Sequence, residues 1–229
     1  MTSAIIVAGG KGLRMKEMVR KQYLLLAGRP ILSHTLAVFD QCDAIDKIFL
    51  VAPAEDFDFC RKNLLGSFHF EKKITLVPGG AERQYSVYNG LMAVSDKKSI
   101  VVIHDGVRPF VRHDQITACI ESAKEHGACI LGMPAFDTLK QVNSSGEIEK
   151  TLEREVIWLA QTPQAFQYDI IVSAHEAAAR EGYIGTDDAS LAERMGQKVK
   201  IITGSRNNIK ITTQEDLRLA GIIMEKRLL

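Results

Sequence analysis

A glycine turn followed by basic residues is the first feature that could do chemistry. The stretch AIIVAGGKGLRMKEMVRKQYL runs from apolar residues into Gly9, Gly10 and Gly12, and cations including Arg14 and Lys21 follow. Glycines let backbone N–H groups approach an anion, and the cations would lie where a nucleoside triphosphate carries its charge. The pattern therefore suggests a polyphosphate site, with a tight structural turn as the alternative.

The two common phosphate-loop patterns do not fit this turn. GGKGLRM is not G-x-x-x-x-G-K-[ST], which argues against P-loop hydrolysis. It is also not G-x-G-x-x-G, and no acidic residue closes a strand about twenty residues later, as dinucleotide binders require. The turn therefore points to another class of nucleotide chemistry.

A lone acid follows a second apolar run, in VVIHDGVRPF. Asp105 ends the predicted strand, Arg108 comes shortly after it, and His104 is expected to pack or hydrogen-bond at the strand end. A carboxylate beside bound phosphates suits Mg²⁺, which takes few protein ligands and completes its shell with phosphates and water. Asp105 is therefore the candidate metal ligand, and a helix cap or turn former is the alternative.

Two further stretches carry polar groups at strand ends. In VPGGAERQYSV, Gly79 and Gly80 follow a strand, and the first turns of the next helix carry Glu82, Arg83 and Ser86, where N–H groups and a hydroxyl can bind polar ligand edges. A structural loop between strand and helix is the alternative. In NNIKITTQEDL, Lys210 lies at the end of the last strand region. It is either a solvated lysine or a further phosphate ligand.

The elements that must position these residues are read from the apolar runs. Most runs are apolar nearly throughout, as in parallel strands that are buried on both faces. Helical patterns separate them, which predicts a Rossmann-like α/β fold with a mostly parallel sheet whose strand-to-helix loops share one edge. The predicted strands are 4–8, 47–52, 74–78, 100–104, 128–133 and 199–203, and the predicted helices cover 30–42, 114–126, 169–181 and a last helix capped by Thr212 and Glu215. In TDDASL, Thr186 is predicted to be an N-cap before two acids.

Residues 137–158 break this alternation. Two polar, alternating runs surround Ser144, Ser145 and Gly146, a pattern typical of a β-hairpin that is too polar for the core. The hairpin is either a surface feature or an arm that reaches a second subunit. Without a linker or internal repeat, residues 1–229 are interpreted as one domain.

Composition excludes several classes of protein. The 229 residues carry a net charge of +1, which favours neither nucleic acid nor an anionic membrane. The four cysteines show no C-x-x-C spacing, as expected of free thiols in a reducing compartment. No apolar run is long enough to span a bilayer. These features predict a soluble, cytoplasmic protein.

Taken in order, the motifs resemble the 2-C-methyl-D-erythritol 4-phosphate cytidylyltransferases of the non-mevalonate isoprenoid pathway. The resemblance runs nearly end to end and includes AGGKGLRM, KQYL, GRPILSHTL, VPGGAERQYSV, HDGVRP, DTLK, QTPQAF, TDDA and NIKITTQEDL. It implies that a phosphate oxygen of methylerythritol phosphate attacks the α-phosphorus of CTP and that pyrophosphate leaves. Such chemistry depends on positioning and on charge stabilisation in the transition state.

The resemblance also implies residue roles and a homodimer. Arg14 and Lys21 would grip the triphosphate and the pentavalent centre, Asp105 would hold Mg²⁺, and Lys210 would support the α-phosphate. The other matches are nucleotide-binding Ala8, Gly9, Gly10, Gly12, Gly79, Gly80 and Ser86, acceptor-binding Arg108, Thr162 and Lys210, and Thr138 and Arg154, which would reach the acceptor of the neighbouring subunit.

Two positions depart from the family, and other functions stay open. Arg20 stands where the family usually has proline, and Tyr85 stands where an acid or small polar residue is usual. The alternatives are cytidylyl transfer to ribitol 5-phosphate or to a molybdenum cofactor, and a nucleotide-binding module without turnover. Retention of Arg14, Lys21, Asp105 and Lys210 together argues against the last.

Overall fold

The computed structural model describes residues 1–10 and 20–226. Its centre is a seven-stranded sheet in the order β11-β7-β10-β6-β1-β4-β5. The strands of this sheet are β1 (Thr2–Val7), β4 (Lys47–Ala52), β5 (Ile74–Pro78), β6 (Ile100–Asp105), β7 (Ala128–Pro134), β10 (Trp158–Gln167) and β11 (Lys200–Thr203). The predicted Rossmann-like α/β class is confirmed, and strands 47–52 and 74–78 are found with the predicted bounds.

Strand β10 is the exception to the parallel pattern. It pairs antiparallel with both β6 and β7, whereas the other neighbouring strands pair in parallel. Sequence reasoning missed this strand, because a proline within a run argues against a central strand. Pro163 lies where the register with β7 shifts between Ala160 and Gln164, so that the ladder is interrupted at the proline.

Helices cover both faces of the sheet, and the alternation along β1 separates two cores. Ala4 and Ile6 belong to one buried cluster, whereas Ile5 belongs to the other. The helices are α1 (Ile31–Asp40), α2 (Phe57–Phe59, continued by the π-helical turn Cys60–Leu65), α3 (Arg83–Ala93), α4 (His113–His126), α5 (Tyr168–Arg180), α6 (Asp188–Arg194) and α7 (Gln214–Lys226). The predicted helices at 30–42, 114–126 and 169–181 are confirmed to within a few residues.

Two predicted helix caps are displaced by one residue. Helix α6 is capped by Asp187, whose Oδ1 accepts from the Ser190 amide at 2.9 Å, and not by Thr186. Before α7, the Asp216 carboxylate accepts from the Thr213 amide, and the Asp216 amide donates to the Thr213 hydroxyl. The pair Thr213 and Asp216 thus replaces the expected pair Thr212 and Glu215. Both errors have one cause: each motif contains adjacent residues of the same capping chemistry.

The predicted hairpin is present and stands apart from the large sheet. Strands β8 (Lys140–Val142) and β9 (Ile148–Thr151) form a separate two-stranded sheet, and every residue in them is exposed. A second small pair, β2 (Leu25–Leu26) and β3 (Arg29–Pro30), precedes α1. Among the described residues, no helix is both long and apolar enough to cross a membrane.

Candidate active site

A pocket of about 510 Å³ opens at the carboxyl edge of the parallel strands. The ends of β1 and β6 meet there, together with the loops that follow β1, β4, β5 and β6 and with Lys210 from the segment before α7. Its volume falls within the range of small-molecule sites, and its position is the usual one for ligands in open α/β sheets. The topology therefore brings most of the sequence-predicted residues to one place.

The first glycine loop forms one wall of this pocket. Ala8, Gly9 and Gly10 line it, and Lys21 lies across the glycines, since a Cβ on Gly10 would be 3.5 Å from the lysine Cε. The side-chain amide of the neighbouring Gln22 donates to the Ala8 carbonyl at 2.6 Å, which connects the Lys21–Tyr23 turn to the loop. Gly12 and Arg14 lie outside the described residues.

The second glycine loop also lines the pocket around Ser86, and it meets the first loop there, since a Cβ on Gly9 would lie 3.5 Å from the Ser86 hydroxyl oxygen. The Ser86 hydroxyl accepts from the Gly80 amide at 3.0 Å and donates to the Glu82 carbonyl at 3.1 Å. A Cβ on Gly80 would lie 2.5 Å from the Tyr85 Cβ, so that only glycine fits this turn. Ser86 therefore shapes the loop, and Gly79 packs against its hydroxyl, where a Cβ would lie 3.3 Å away. Tyr85, the departure from the family pattern, is exposed.

Asp105 is held by cations from three different elements. Its Oδ1 accepts from Arg83 Nε at 3.3 Å, and its Oδ2 accepts from Arg108 Nε at 3.3 Å and lies 2.9 Å from Lys210 Nζ. Its side chain is only 9% exposed, so that these pairs are poorly screened by solvent. Sequence reasoning grouped Asp105 with Arg108 and Lys210 but did not foresee the contact with Arg83.

This surrounding charge determines how Asp105 titrates. Burial alone would raise the pKa of the carboxyl, but Arg83, Lys210 and Arg108 outweigh burial and hold that pKa well below its ordinary value. The side chain is therefore ionised throughout the physiological range. A permanently charged carboxylate at the centre of a cationic cluster can position those cations and can also contact a metal ion.

The residues behind Asp105 hold the strand end rigidly. The fully buried His104 uses one ring nitrogen with the Arg108 carbonyl at 3.0 Å and the other with the Thr162 hydroxyl at 3.0 Å. The same hydroxyl accepts from the Asp105 amide at 3.2 Å. Burial lowers the pKa of His104 to about 4, so that the ring is neutral at pH 7. His104 thus hydrogen-bonds at the strand end as predicted.

Lys210 reaches the pocket because its segment is pinned to the loop after β6. Arg108 Nη1 donates to the Asn208 carbonyl at 2.7 Å, and the Ile211 amide donates to the Val107 carbonyl at 2.9 Å. The Asn208 side chain is buried and donates to the Thr162 carbonyl at 2.8 Å. These contacts hold the polar segment 208–211 in place, and the segment positions Lys210 beside Asp105.

Arg20 has a contact that the sequence did not predict. Its guanidinium pairs with Glu55 at 2.6 Å and with Asp56 at 3.0 Å, both in the turn that follows β4. Tyr23 donates to Asp56 as well, at 2.9 Å. The charge at position 20 thus anchors the segment carrying Lys21 to the neighbouring turn, in a position where proline would supply rigidity by fixing φ.

Not every predicted acceptor-binding residue lines this pocket. Arg108 and Lys210 contact Asp105, and Thr162 is buried behind it with its hydroxyl occupied by His104 and the Asp105 amide. Thr138 and Arg154 lie at the base of the hairpin, where Arg154 Nη1 donates to the Phe136 carbonyl at 3.0 Å. Neither residue is among those that line the pocket of its own chain.

Asp105 is the candidate metal ligand in this pocket, and the other carboxylates that line it are Glu55, which pairs with Arg20, and Glu82. Within residues 1–10 and 20–226, no group of three or more His, Cys, Asp or Glu side chains could hold a metal ion. Asp105 is a single hard oxygen donor surrounded by cations. This donor set suits Mg²⁺ that enters with the phosphates of a nucleotide, and it does not suit a resident metal held by the protein alone.

Comparison with known proteins agrees with the sequence motifs. Residues 2–226 match the family model described as IspD: 2-C-methyl-D-erythritol 4-phosphate cytidylyltransferase. The chain is 50% identical over 223 residues to the 2-C-methyl-D-erythritol 4-phosphate cytidylyltransferase of Syntrophus aciditrophicus, an alignment that covers 97% of this chain and 95% of the relative. It is 48% identical over 225 residues to the enzyme of the same name from Geotalea uraniireducens, with 97% and 96% covered.

Solved structures lead to the same group of proteins. The crystal structure of 4-diphosphocytidyl-2C-methyl-D-erythritol synthase from Anaerococcus prevotii matches with a TM-score of 0.86 and 33% identity, and the match covers 98% of this chain and 96% of that one. Sequence and fold are therefore similar to the same proteins over almost the whole chain.

Proposed function

The chain belongs to the 2-C-methyl-D-erythritol 4-phosphate cytidylyltransferase family, and on that premise we propose that it transfers a cytidylyl group from CTP to 2-C-methyl-D-erythritol 4-phosphate. An acceptor phosphate oxygen forms a bond to the α-phosphorus of CTP, and the bond from that phosphorus to the oxygen of the β-phosphate breaks. The products are 4-diphosphocytidyl-2-C-methyl-D-erythritol and pyrophosphate, so that no covalent enzyme intermediate is required.

One feature of the fold supports this reaction most directly. Two glycine loops line one pocket together with Lys21, and in this pocket Arg83 and Lys210 pair with Asp105. Such a pocket offers backbone N–H groups and fixed positive charge to a triphosphate. In phosphoryl-type transfer the protein contributes mainly positioning and charge stabilisation, and this arrangement supplies both.

The cations divide into groups for the triphosphate and for the acceptor. Lys21 lies on the first glycine loop, where it would stabilise the charge that develops at the α-phosphorus, together with Arg14. Lys210 and Arg108 pair with Asp105 Oδ2 and would bind the acceptor phosphate, with Lys210 also reaching the α-phosphate. Held between these two groups of cations, an acceptor oxygen would approach the phosphorus in line.

Mg²⁺ is proposed as the divalent cofactor, held by Asp105. The ion would be bound mainly by nucleotide phosphates and water, with one carboxylate oxygen from the protein. It would neutralise phosphate charge during the transfer. On binding CTP, Asp105 would exchange part of its contact with Lys210 for contact with the metal, and the lysine would then be available to the substrates.

The two glycine loops are proposed to bind the nucleotide. Gly9 and Gly10 would contribute backbone N–H groups to the triphosphate. Gly80 lines the same pocket and Gly79 packs against Ser86 beside it, and this loop would bind cytosine and ribose. Because the Ser86 hydroxyl is engaged with the Gly80 amide and the Glu82 carbonyl, its contribution would be to shape this loop around the base.

A homodimer is proposed on the basis of the hairpin and its base. Large apolar side chains are exposed along this region: Phe136, Val142, Ile148, Val156 and Leu159. A run of exposed apolar side chains favours contact with another protein surface. A second copy of the chain would cover these side chains, and the same contact would bring Thr138 and Arg154 to the partner's acceptor pocket. Residues 137–158 would then be a dimerisation arm.

A cytoplasmic location is proposed from the thiols. Cys42, Cys60, Cys119 and Cys129 are all buried and free. Free thiols are typical of proteins in a reducing compartment. The substrates proposed here, CTP and a polyol phosphate, are small soluble anions, and neither requires contact with a membrane or a nucleic acid.

The reaction is tested by pyrophosphate release with CTP, Mg²⁺ and one acceptor at a time. We expect release with 2-C-methyl-D-erythritol 4-phosphate and a kcat/KM for ribitol 5-phosphate that is lower by about tenfold or more, since one well-placed contact is worth that much. Mass spectrometry of the cytidine diphosphate product identifies the acceptor. Faster turnover with ribitol 5-phosphate would overturn the proposed acceptor, and no release with either would overturn the proposed reaction.

A further inference from the structure

Arg83 lies between two buried carboxylates. Its Nε donates to Asp105 Oδ1 at 3.3 Å, and its Nη1 donates to Asp188 Oδ2 at 2.8 Å. Asp105 faces the pocket, whereas Asp188 lies behind the guanidinium and has a side chain that is only 1% exposed. The shorter contact, to Asp188, is therefore on the side that no substrate reaches.

Asp188 is fixed by the sheet and by α5. The Gln164 side-chain oxygen, on β10, accepts from the amides of Asp188 and Ala189, each at 3.1 Å. On α5, His175 Nε2 lies 3.3 Å from Asp188 Oδ1. The two bonds to Gln164 thus hold the backbone at Asp188, and the His175 ring lies beside its second oxygen.

The two carboxylates differ in the number of their cationic partners. Asp188 has one guanidinium, from Arg83, whereas Asp105 has Arg83, Arg108 and Lys210. Burial opposes ionisation of Asp188, but Arg83, followed by His175, outweighs it and lowers the pKa of the carboxyl. The buried carboxylate thus holds Arg83 by a strong, desolvated pair, and Arg83 in turn fixes one oxygen of Asp105.

We propose that Asp188 is a positioning residue for the transfer reaction, which holds Arg83 on Asp105 Oδ1 and keeps Asp105 Oδ2 turned toward Lys210 and Arg108. This inference rests on the proposed function. Without Asp188, the Arg83 guanidinium has one carboxylate instead of two and is drawn toward the phosphates of CTP. Asp105 then loses the contact that fixes its rotamer, and Lys210 and Arg108 lose a fixed partner.

The kinetic signature of this role differs from that of lost binding. Releasing Arg83 toward the nucleotide adds positive charge near the triphosphate, so that CTP binds at least as well as before. The reacting groups, however, are less well aligned, and misplacement of about 1 Å can cost on the order of 100-fold in rate. We therefore expect kcat to fall while the CTP KM stays the same or decreases.

Asp188→Asn is the first test, because it removes the charge and keeps the size of the side chain. We expect kcat to fall about 10- to 100-fold, with a CTP KM no higher than that of the wild type. Asp187→Asn is the matched control: Asp187 caps the same helix and bonds to the same Gln164, but it does not contact Arg83. The control should leave kcat within about twofold, because Asn is about as good an N-cap as Asp.

A double-variant cycle identifies Arg83 as the intermediary. If Asp188 acts through Arg83, then Arg83→Gln combined with Asp188→Asn is no slower than Arg83→Gln alone. Multiplication of the two kcat losses would overturn the proposal. It would also be overturned by wild-type kcat in Asp188→Asn, or by a kcat loss in Asp187→Asn of the same size.

Thermal unfolding provides a test that does not depend on turnover. Arg83→Gln leaves the buried Asp188 charge without its guanidinium, which is strongly destabilising. We expect the double variant to unfold at a higher temperature than Arg83→Gln alone, because Asn removes that charge. A double variant less stable than both single variants would overturn the pairing. An inactive wild type with the expected unfolding temperatures would instead overturn the proposed reaction.

Discussion

The pocket around Asp105 and the hairpin arm are built in opposite ways. Asp105 is buried, and Arg83, Arg108 and Lys210 reach it from three separate parts of the chain. Strands β8 and β9 are exposed at every residue and contact mainly each other. The charge cluster around Asp105 is therefore assembled within one chain, whereas the arm has polar and apolar groups that its own chain leaves uncovered.

This difference teaches where each kind of residue can act. A charged group works best where water is excluded and where its neighbours are fixed, and the pocket provides both conditions. An exposed arm loses conformational entropy on ordering and gains little in return unless a second surface covers it. The pocket is thus expected to set the rate of the reaction, and the arm is expected to contribute to the binding of one substrate.

Replacing Asp105 should give the largest loss. Asp105→Asn removes the proposed metal contact and leaves three cations without their shared carboxylate, so that kcat at saturating Mg²⁺ should fall by roughly 10³-fold or more. Steady-state pyrophosphate release measures this loss. Asp114→Asn, an exposed change on α4, is the control. Rates close to those of the wild type in Asp105→Asn would contradict the proposal that Asp105 binds the metal ion.

Lys21 should come next. Lys21→Ala should lower kcat by roughly 10²- to 10³-fold and raise the CTP KM much less, because the lysine stabilises charge that appears mainly in the transition state. Lys124→Ala, at an exposed lysine on α4, should behave like the wild type. An effect confined to KM would mean that Lys21 binds CTP equally well in the ground state and the transition state.

The pocket should also make folding stability depend on pH, in a way that the arm does not. The folded pKa of His104 is about 4, below its ordinary value of 6.5. As pH falls, the unfolded state therefore binds a proton on this ring at a higher pH than the folded state does. The stability from the neutral ring is complete above pH 6.5 and is lost as pH falls through 4, by about 3 kcal/mol. Asp105 adds its own loss below its ordinary pKa of 3.8.

Urea unfolding at several pH values measures this slope. His104→Gln should flatten the curve between pH 6.5 and 4, whereas Glu149→Gln on the arm should leave its shape unchanged. If His104→Gln and the wild type lose stability in parallel over that range, the buried neutral ring is not the cause.

The smallest of these effects should come from the arm and should concern one substrate only. Arg154→Ala should raise the KM for the acceptor by about 10- to 100-fold, the usual cost of one charged hydrogen bond, and leave the CTP KM within about twofold. Lys150→Ala, on the exposed strand β9, controls for the loss of charge on the arm. A rise in both KM values would place Arg154 in the nucleotide site.

The sequence predicts the pocket better than it predicts the network behind it. Asp105, Arg108 and Lys210 could be grouped, because parallel strands deliver their carboxyl ends to one edge and short motifs mark those ends. The pair of Arg83 and Asp188 joins residues far apart in the chain, and such pairing leaves no periodic signal. The ion pairs of Arg20 with Glu55 and Asp56 were missed for the same reason.

Strand β10 shows a second limit of sequence reasoning. Pro163 and a mixture of polar and apolar residues conceal it, although it places Thr162 and Gln164 behind Asp105 and Asp188. An antiparallel strand has its first half at the carboxyl edge of its parallel neighbours, so that residues from its beginning support the site. That placement follows from tertiary pairing, which local pattern does not encode.

Complementation between inactive subunits tests most directly whether a pocket from one chain is completed by the arm of another. Arg154→Ala and Lys21→Ala chains are unfolded together, refolded and assayed at an acceptor concentration below the wild-type KM, where both parents are nearly inactive, and heterodimers are counted by native mass spectrometry. A shared site predicts one intact pocket in each heterodimer, and thus about one quarter of wild-type activity after random pairing, well above either parent. No recovery in mixtures that contain heterodimers would mean that Lys21 and Arg154 serve the same pocket from within one chain.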